Sequence, residues 1–151
     1  MAVAKLLVEK GADIEVQSSL GSRALHFAAY FGHPHITEYL LEHNAVINAV
    51  AFSNGKTALH STAEKGYVNI ARPLLNLNAE ISKRCYSGNT ALHFAVLAGK
   101  QNVVQFLIEK GVDIDIAGND MVTPLHCAAS TGYLDVAMFL IGKGATLEAR
   151  T

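Results

Sequence analysis

Four histidines recur along the chain at an almost constant spacing, and they are the first residues to consider for chemistry. His26, His60, His93 and His126 follow one another at intervals of 34, 33 and 33 residues. A group of histidines can bind zinc, but the ligand nitrogens must then lie about 2 Å from one metal ion. Histidines in successive packed helices stand roughly 10 Å apart. We therefore predict that these four do not share a metal ion, and we predict no metal site.

No other motif in the sequence predicts catalysis. The chain has no glycine-rich nucleotide-binding loop, no nucleophile elbow and no H-E-x-x-H zinc motif. Its carboxylates are scattered over predicted helix surfaces, whereas an active site needs groups that converge in one pocket. We therefore expect a protein that is not an enzyme, with no catalytic residue and no cofactor.

Composition argues against several other classes. Twelve Lys and Arg residues face 13 Asp and Glu residues, which gives a formal net charge of −1. Nucleic-acid-binding modules usually carry a basic stripe, so we expect no nucleic-acid partner. No run of 18 apolar residues occurs, which predicts no membrane insertion. The two cysteines are too few for a disulfide framework and indicate a reducing compartment, the cytoplasm or alternatively the nucleus. We expect Cys127 in the core and Cys85 exposed in a turn.

Two further markers repeat with the period of the histidines, and together they define a structural unit. Each unit begins with a short alanine-rich stretch that ends at a glycine, which is typical of a short helix. An amphipathic stretch follows and predicts a second helix, and a polar turn closes the unit. Two helices this short cannot bury their own apolar faces, so the units must stack. The markers are Gly32, Gly66, Gly99 and Gly132, and the series Gly11, Asn44, Asn78, Gly111 and Gly144.

With these markers in place, the chain resembles the ankyrin-repeat family. The segment Thr123-Pro124-Leu125-His126-Cys127-Ala128 matches the family signature T-P-L-H-x-A, and the period matches the family's 33 residues. The other three units have Ala in place of Pro, and one of them has Arg23 in place of Thr. The resemblance implies an all-α solenoid of stacked helix–turn–helix units with projecting β-turn or hairpin loops. It also implies that each histidine bridges the threonine hydroxyl and the backbone of a neighbouring turn, so that His26 loses one partner.

We place a single ankyrin-repeat domain over residues 1–151. Its units are a partial unit at 1–17, followed by units at 18–51, 52–84, 85–117 and 118–151. The first unit opens in a second helix, whose apolar residues include Val3 and Leu6. Neither end carries an obvious polar cap, which such arrays normally need. This favours a fragment of a longer array, or end-to-end self-association of the chain.

Three local departures from the repeat predict local structure. The unit at 18–51 has one extra residue, which the spacing places in the turn between Asn48 and Asn54. Pro73 falls inside a predicted second helix and predicts a kink or a weak point. Met121 stands where three other units have glycine, which predicts an altered turn if the position needs a positive φ. The resemblance also makes Asn48 a candidate for asparagine hydroxylation, although we favour its interpretation as a turn residue.

The resemblance implies that a partner protein binds the concave face, which we define as the projecting turns and the exposed sides of the first helices. Several of the variable residues there are apolar or aromatic at positions expected to face solvent, as interface anchors often are. Alternatively, Tyr30 and Phe31 join the core, or Glu64 and Lys65 divide the surface into two patches. The predicted partner-binding residues are Leu20, Ser22, Tyr30, Phe31, Asn54, Lys56, Glu64, Lys65, Tyr86, Asn89, Leu97, Asp120 and Val122.

The function that this resemblance implies is a non-catalytic protein–protein interaction module. The alternative is a regulatory ankyrin region within a larger channel, kinase or ubiquitin-ligase adaptor protein. The identity of the partner does not follow from the fold, because one scaffold serves many surfaces.

Overall fold

A computed structural model describes residues 9–146 of the chain. Within these residues the structure has eight α-helices, one short 3₁₀ turn and no strand. The helices come in pairs, and each pair falls inside one of the predicted units. The predicted helix at the start of the partial unit lies outside the described residues. The helices are α1 (Ala24–Phe31), α2 (Pro34–Glu42), α3 (Ala58–Lys65), α4 (Val68–Asn76), α5 (Ala91–Leu97), α6 (Gln101–Glu109), α7 (Pro124–Thr131) and α8 (Leu134–Gly142).

The first helices of the units form one layer, in which α1 packs on α3, α3 on α5 and α5 on α7. Small residues such as Ala29, Ala63 and Ala95 are fully buried there and let the helix backbones approach closely. Three of the four helices end directly at a glycine with a left-handed backbone, such as Gly32 at φ 76°. Glycine adopts this conformation at little cost because it lacks a Cβ. The glycine marker in the sequence therefore sets the length of these helices.

The second helices form the other layer, and the core lies between the two layers. Branched side chains such as Ile70, Val103 and Leu140 are fully buried there. Each second helix packs on the first helix of its own unit, and successive second helices pack on one another. Residues with a positive φ follow these helices, including Asn44 and Asn78 at 65°. This confirms that the Gly or Asn marker ends each second helix.

Turns project from the stack between one unit's second helix and the next unit's first helix. In three of them, one backbone hydrogen bond encloses three residues, whereas the bond from Ala51 N–H to Lys56 C=O encloses four. The extra residue therefore lies within 52–55 at the tip of this turn, which agrees with the predicted stretch between Asn48 and Asn54. The three shorter turns are closed by the pairs Ser18–Ser22, Cys85–Asn89 and Gly118–Val122.

The turn at Met121 has a different backbone path, as the sequence predicted. Asp120 and Met121 have φ values of 53° and 56°, and Val122 N–H donates to Asn119 C=O at 3.1 Å. Two successive positive φ values around such a bond define a type I′ turn. In the unit at 18–51, by contrast, the left-handed residue is a single glycine, Gly21.

Helix α4 continues through Pro73 to Asn76, so the proline does not end the helix. Proline removes the hydrogen bond that its own N–H would have donated to Asn69 C=O. The following bond, from Leu77 N–H to Pro73 C=O, is present at 3.1 Å. A local weak point at Pro73 stays a prediction.

The prediction for Cys85 is wrong. Its side chain is only 6% exposed, and its Sγ lies 3.1 Å from Ser87 Oγ. Cys85 opens a closed turn through its backbone bond to Asn89, and this position directs the side chain inward. Cys127 is buried, as predicted, and both cysteines are free thiols.

Side-chain acceptors also tie successive turns together at their base. Glu15 Oε1 accepts the backbone N–H of Val46 at 3.0 Å, and Asn48 Oδ1 accepts that of Glu80 at 2.9 Å. Asn48 thus performs a turn role of the kind that the sequence favoured. Each such bond spans a full unit, so the turns are positioned by their neighbours as well as by local sequence.

Candidate partner-binding groove

The repeated histidines fix the turns that form the concave face. Nδ1 of His60 accepts the backbone N–H of Thr57 at 3.0 Å and lies 2.8 Å from Thr57 Oγ1. On the other side of the ring, Nε2 donates to the carbonyls of Lys83 at 2.9 Å and Asn89 at 3.2 Å. The imidazole thereby joins the start of its own helix to the turn of the next unit, which confirms the structural role.

These contacts require a neutral ring that carries its hydrogen on Nε2. Burial lowers the pKa of His60 to about 4, even though the two backbone carbonyls favour the protonated form. Burial also lowers the pKa values of His26 and His93. The three histidines are therefore neutral at physiological pH, and their lone pairs and protons are already used within the array.

At His26 the contact is incomplete, as predicted from Arg23. The backbone N–H of Arg23 donates to Nδ1 at 3.1 Å, but no hydroxyl is present beside it. The Nε2 atom keeps its two carbonyls, those of Ala49 at 3.0 Å and Lys56 at 3.1 Å. The Arg23 side chain instead approaches Glu15, with Nε 2.9 Å from Oε2. His26 therefore still anchors the next turn while one of its own partners is missing.

A groove of about 370 Å³ lies on the concave face between α1, α3 and the turn that joins their units. We call it the aromatic groove. It brings six of the predicted partner-binding residues together, along with four residues that the sequence did not single out for binding. The predicted ones are Ser22, Tyr30, Phe31, Asn54, Lys56 and Glu64, and the others are His26, Phe27, Ala51 and Ser61.

Three aromatic rings form one wall of this groove. The rings of Phe27 and Phe31 are nearly parallel, with centroids 6.5 Å apart, and Tyr30 meets Phe31 edge-on at 5.2 Å. Phe27, Tyr30 and Phe31 are 47%, 42% and 60% exposed. The alternative that Tyr30 and Phe31 join the core is therefore wrong. Exposed aromatic clusters of this kind are typical of protein interaction sites.

The charged residues of the groove are paired with one another. Lys56 Nζ lies 2.8 Å from Glu64 Oε2 and 4.0 Å from the centroid of the Phe94 ring. Lys65 Nζ lies 4.2 Å from the centroid of the Tyr30 ring. Hydrogen bonding with Tyr30 raises the pKa of Lys65. Lys65 therefore extends the aromatic surface by stacking on it, and does not interrupt it as the sequence suggested.

The remaining predicted residues lie along the concave face but outside the aromatic groove. Leu20, Tyr86 and Leu97 are exposed, and the Tyr86 ring covers Gly55, where an added Cβ would lie 2.5 Å from a ring carbon. Asp120 is exposed at the tip of the altered turn.

Two of the predicted residues are less available than expected. Val122 is half-buried and packs against the core, because its backbone carbonyl is drawn toward His93 Nε2 at 3.0 Å. Asn89 is also half-buried, and its carbonyl accepts from His60. The expectation that Val122 faces solvent is therefore wrong.

Three of the residues that the sequence analysis did not single out show why they were missed. Phe27 follows a buried histidine in an alanine-rich helix, where its exposure has no signal in the pattern of its own unit. Ser61 occupies the same place one unit later, and the small side chain gave no signal on its own. Phe52 is exposed at the tip of the longer turn and covers Gly21. Comparison of equivalent positions in neighbouring units was the signal that could have found Phe27 and Ser61.

Within residues 9–146, no cluster of three or more His, Cys, Asp or Glu side chains is arranged to hold a metal ion. In the same part of the chain, no helix is both long enough and apolar enough to cross a membrane.

Comparison with known proteins agrees with the geometry. The family model for ankyrin repeats (3 copies) matches residues 1–85 and 78–151. No curated protein matches the chain.

Proposed function

Because the chain belongs to the ankyrin-repeat family, whose members are generally protein–protein interaction modules and typically non-catalytic, we propose that it binds a partner protein through its concave face. The aromatic groove is the centre of the proposed binding site. Tyr86 and Leu97 extend the surface toward the later units.

One observation carries this proposal, the cluster of exposed rings formed by Phe27, Tyr30 and Phe31. A soluble domain exposes contiguous apolar area mainly where another molecule covers it. Aromatic residues are enriched among the few residues that dominate binding energy, and they act best beside a pocket that water leaves on binding. The three rings are exposed, and they line a groove whose other sides are formed by α3 and a turn.

The experiment compares partner recovery by the wild-type chain and by a Phe27→Ser, Phe31→Ser variant. Both proteins are immobilised, exposed to lysate and analysed by mass spectrometry after their melting temperatures are matched. The control is Leu77→Ser, which removes a comparably exposed apolar residue that follows α4 in the second-helix layer. We expect a partner that the control retains and the double variant loses. Equal recovery by both variants would contradict the assignment to the concave face.

A further inference from the structure

The next junction between units provides a comparison for the aromatic groove. At two junctions between units, the residue that precedes the helix-start position of one unit lies near the residue that follows the histidine of the next. At the junction of the units at 52–84 and 85–117 these residues are Lys56 and Phe94. Lys56 Nζ lies 4.0 Å from the centroid of the Phe94 ring, so a long side chain and a ring together occupy this space.

At the preceding junction the same two positions are both serine. Ser22 and Ser61 line the aromatic groove, and Ser61 is itself buried. The two small side chains leave open the space that Lys56 and Phe94 occupy one unit later. The groove thus differs from the following junction in lacking these two large side chains.

The charges around this space indicate what can enter it. Glu64 and Lys56, the two formally charged residues of the lining, already pair with each other at 2.8 Å. Lys65 at the rim is engaged with the Tyr30 ring. His26 is neutral because burial lowers its pKa. A charged side chain entering the groove would lose its hydration without gaining a free counter-ion, which is unfavourable.

An uncharged apolar side chain would instead meet the exposed rings of Phe27 and Phe31 and the methyl of Ala51. We propose that the space between Ser22 and Ser61 receives one large uncharged side chain, aromatic or aliphatic, from a segment of the partner protein. This proposal rests on the proposed function and adds the chemistry of the anchor. Ser22 and Ser61 determine specificity, because their small size creates the space.

The experiment fills the space with the two side chains that occupy it at the next junction. The variant Ser22→Lys, Ser61→Phe reproduces the pair that already exists at the next junction, so the fold should accept it. Ser61→Leu is the second variant, and it keeps the test valid if the double substitution unfolds. The control is Leu77→Lys, which adds the same charge at an exposed position that follows α4 in the second-helix layer, away from the concave face.

The probe is a phage library of random twelve-residue peptides, selected on the wild-type chain. We expect selected peptides to share one large apolar residue and to lose affinity by about tenfold or more on either filled variant. We expect a change below about twofold on the Leu77→Lys control. Affinities are measured by fluorescence anisotropy with the free peptides.

Each of the other outcomes would contradict the proposed pocket, the proposed chemistry of the anchor, or both proposals. Peptides that bind the filled variants equally well, but lose binding to the Phe27→Ser, Phe31→Ser variant, would refute the Ser22–Ser61 pocket and leave the concave-face proposal standing. Selection of peptides with a conserved charged anchor would refute the proposed chemistry. Peptides that bind all variants equally, or the absence of any selected peptide, would count against both proposals.

Discussion

Replacing Met121 with glycine should stabilise the protein, because this residue holds a backbone conformation that favours glycine. Met121 has a φ of 56°, and its side chain is 58% exposed. Removing this side chain therefore loses little buried apolar surface. A non-glycine residue in the left-handed region costs roughly 1–2 kcal/mol. Glycine reduces this stabilisation by roughly 0.5–1 kcal/mol, because it increases the conformational entropy of the unfolded chain.

The net gain in the free energy of unfolding is therefore about 0.5–1 kcal/mol for Met121→Gly. A chain of this size gains about 2–4 °C in melting temperature per kcal/mol, so the expected rise is about 1–4 °C. The assay is urea unfolding followed by circular dichroism, with thermal melts as a second measurement.

The matched control is Met121→Ala, which removes the same side chain but keeps the backbone strain. We expect no gain from the alanine variant. If alanine stabilises as much as glycine, the side chain and not the φ value is the source of the effect, and the reasoning fails. Asp120, with a φ of 53°, is left unchanged because aspartate tolerates this region.

Two further predictions concern stability. The pKa of His60 is about 4 in the folded chain, against 6.5 when unfolded, so the unfolded state binds more protons below pH 6.5. Stability should therefore be complete above pH 6.5 and fall by about 3 kcal/mol as the pH drops to 4. Urea midpoints across this range measure the fall, and a His60→Gln variant with the same pH slope would contradict its assignment. Pro73→Ala should restore a donor to Asn69 C=O and raise the free energy of unfolding by about 2 kcal/mol. Hydrogen exchange in α4 localises that gain, and unchanged protection there would show that Pro73 is not a weak point.

The sequence predicts most of the fold because the same markers recur in every complete unit. The period of the histidines and glycines gives the helix pairs, their order and their ends, and no single marker has to be right. The extra residue before Asn54 and the altered turn at Met121 are also predictable, since both are departures from a pattern that the other units define.

The surface is harder to predict because exposure depends on which residue of the neighbouring unit lies opposite. Phe94 is covered by Lys56, whereas Ser61, at the same position one unit earlier, has Ser22 opposite and lines an open groove. Cys85 was predicted to be exposed because it belongs to a turn, although the first residue of that turn directs its side chain inward. Neither outcome is encoded in the periodicity of one unit.

The histidine contacts all run the same way along the stack, from one unit toward the unit that follows it. The imidazoles of His26, His60 and His93 each complete the start of their own helix and donate their Nε2 proton to the turn at the junction with the following unit, as His93 does to Val122. A unit therefore depends on its successor for part of its own order. A chain shortened after residue 117 would lose the last helix pair and would also leave His93 without this acceptor. The damage from any such cut reaches one unit further back than the residues removed, so tolerance to truncation should follow the junctions rather than the unit boundaries.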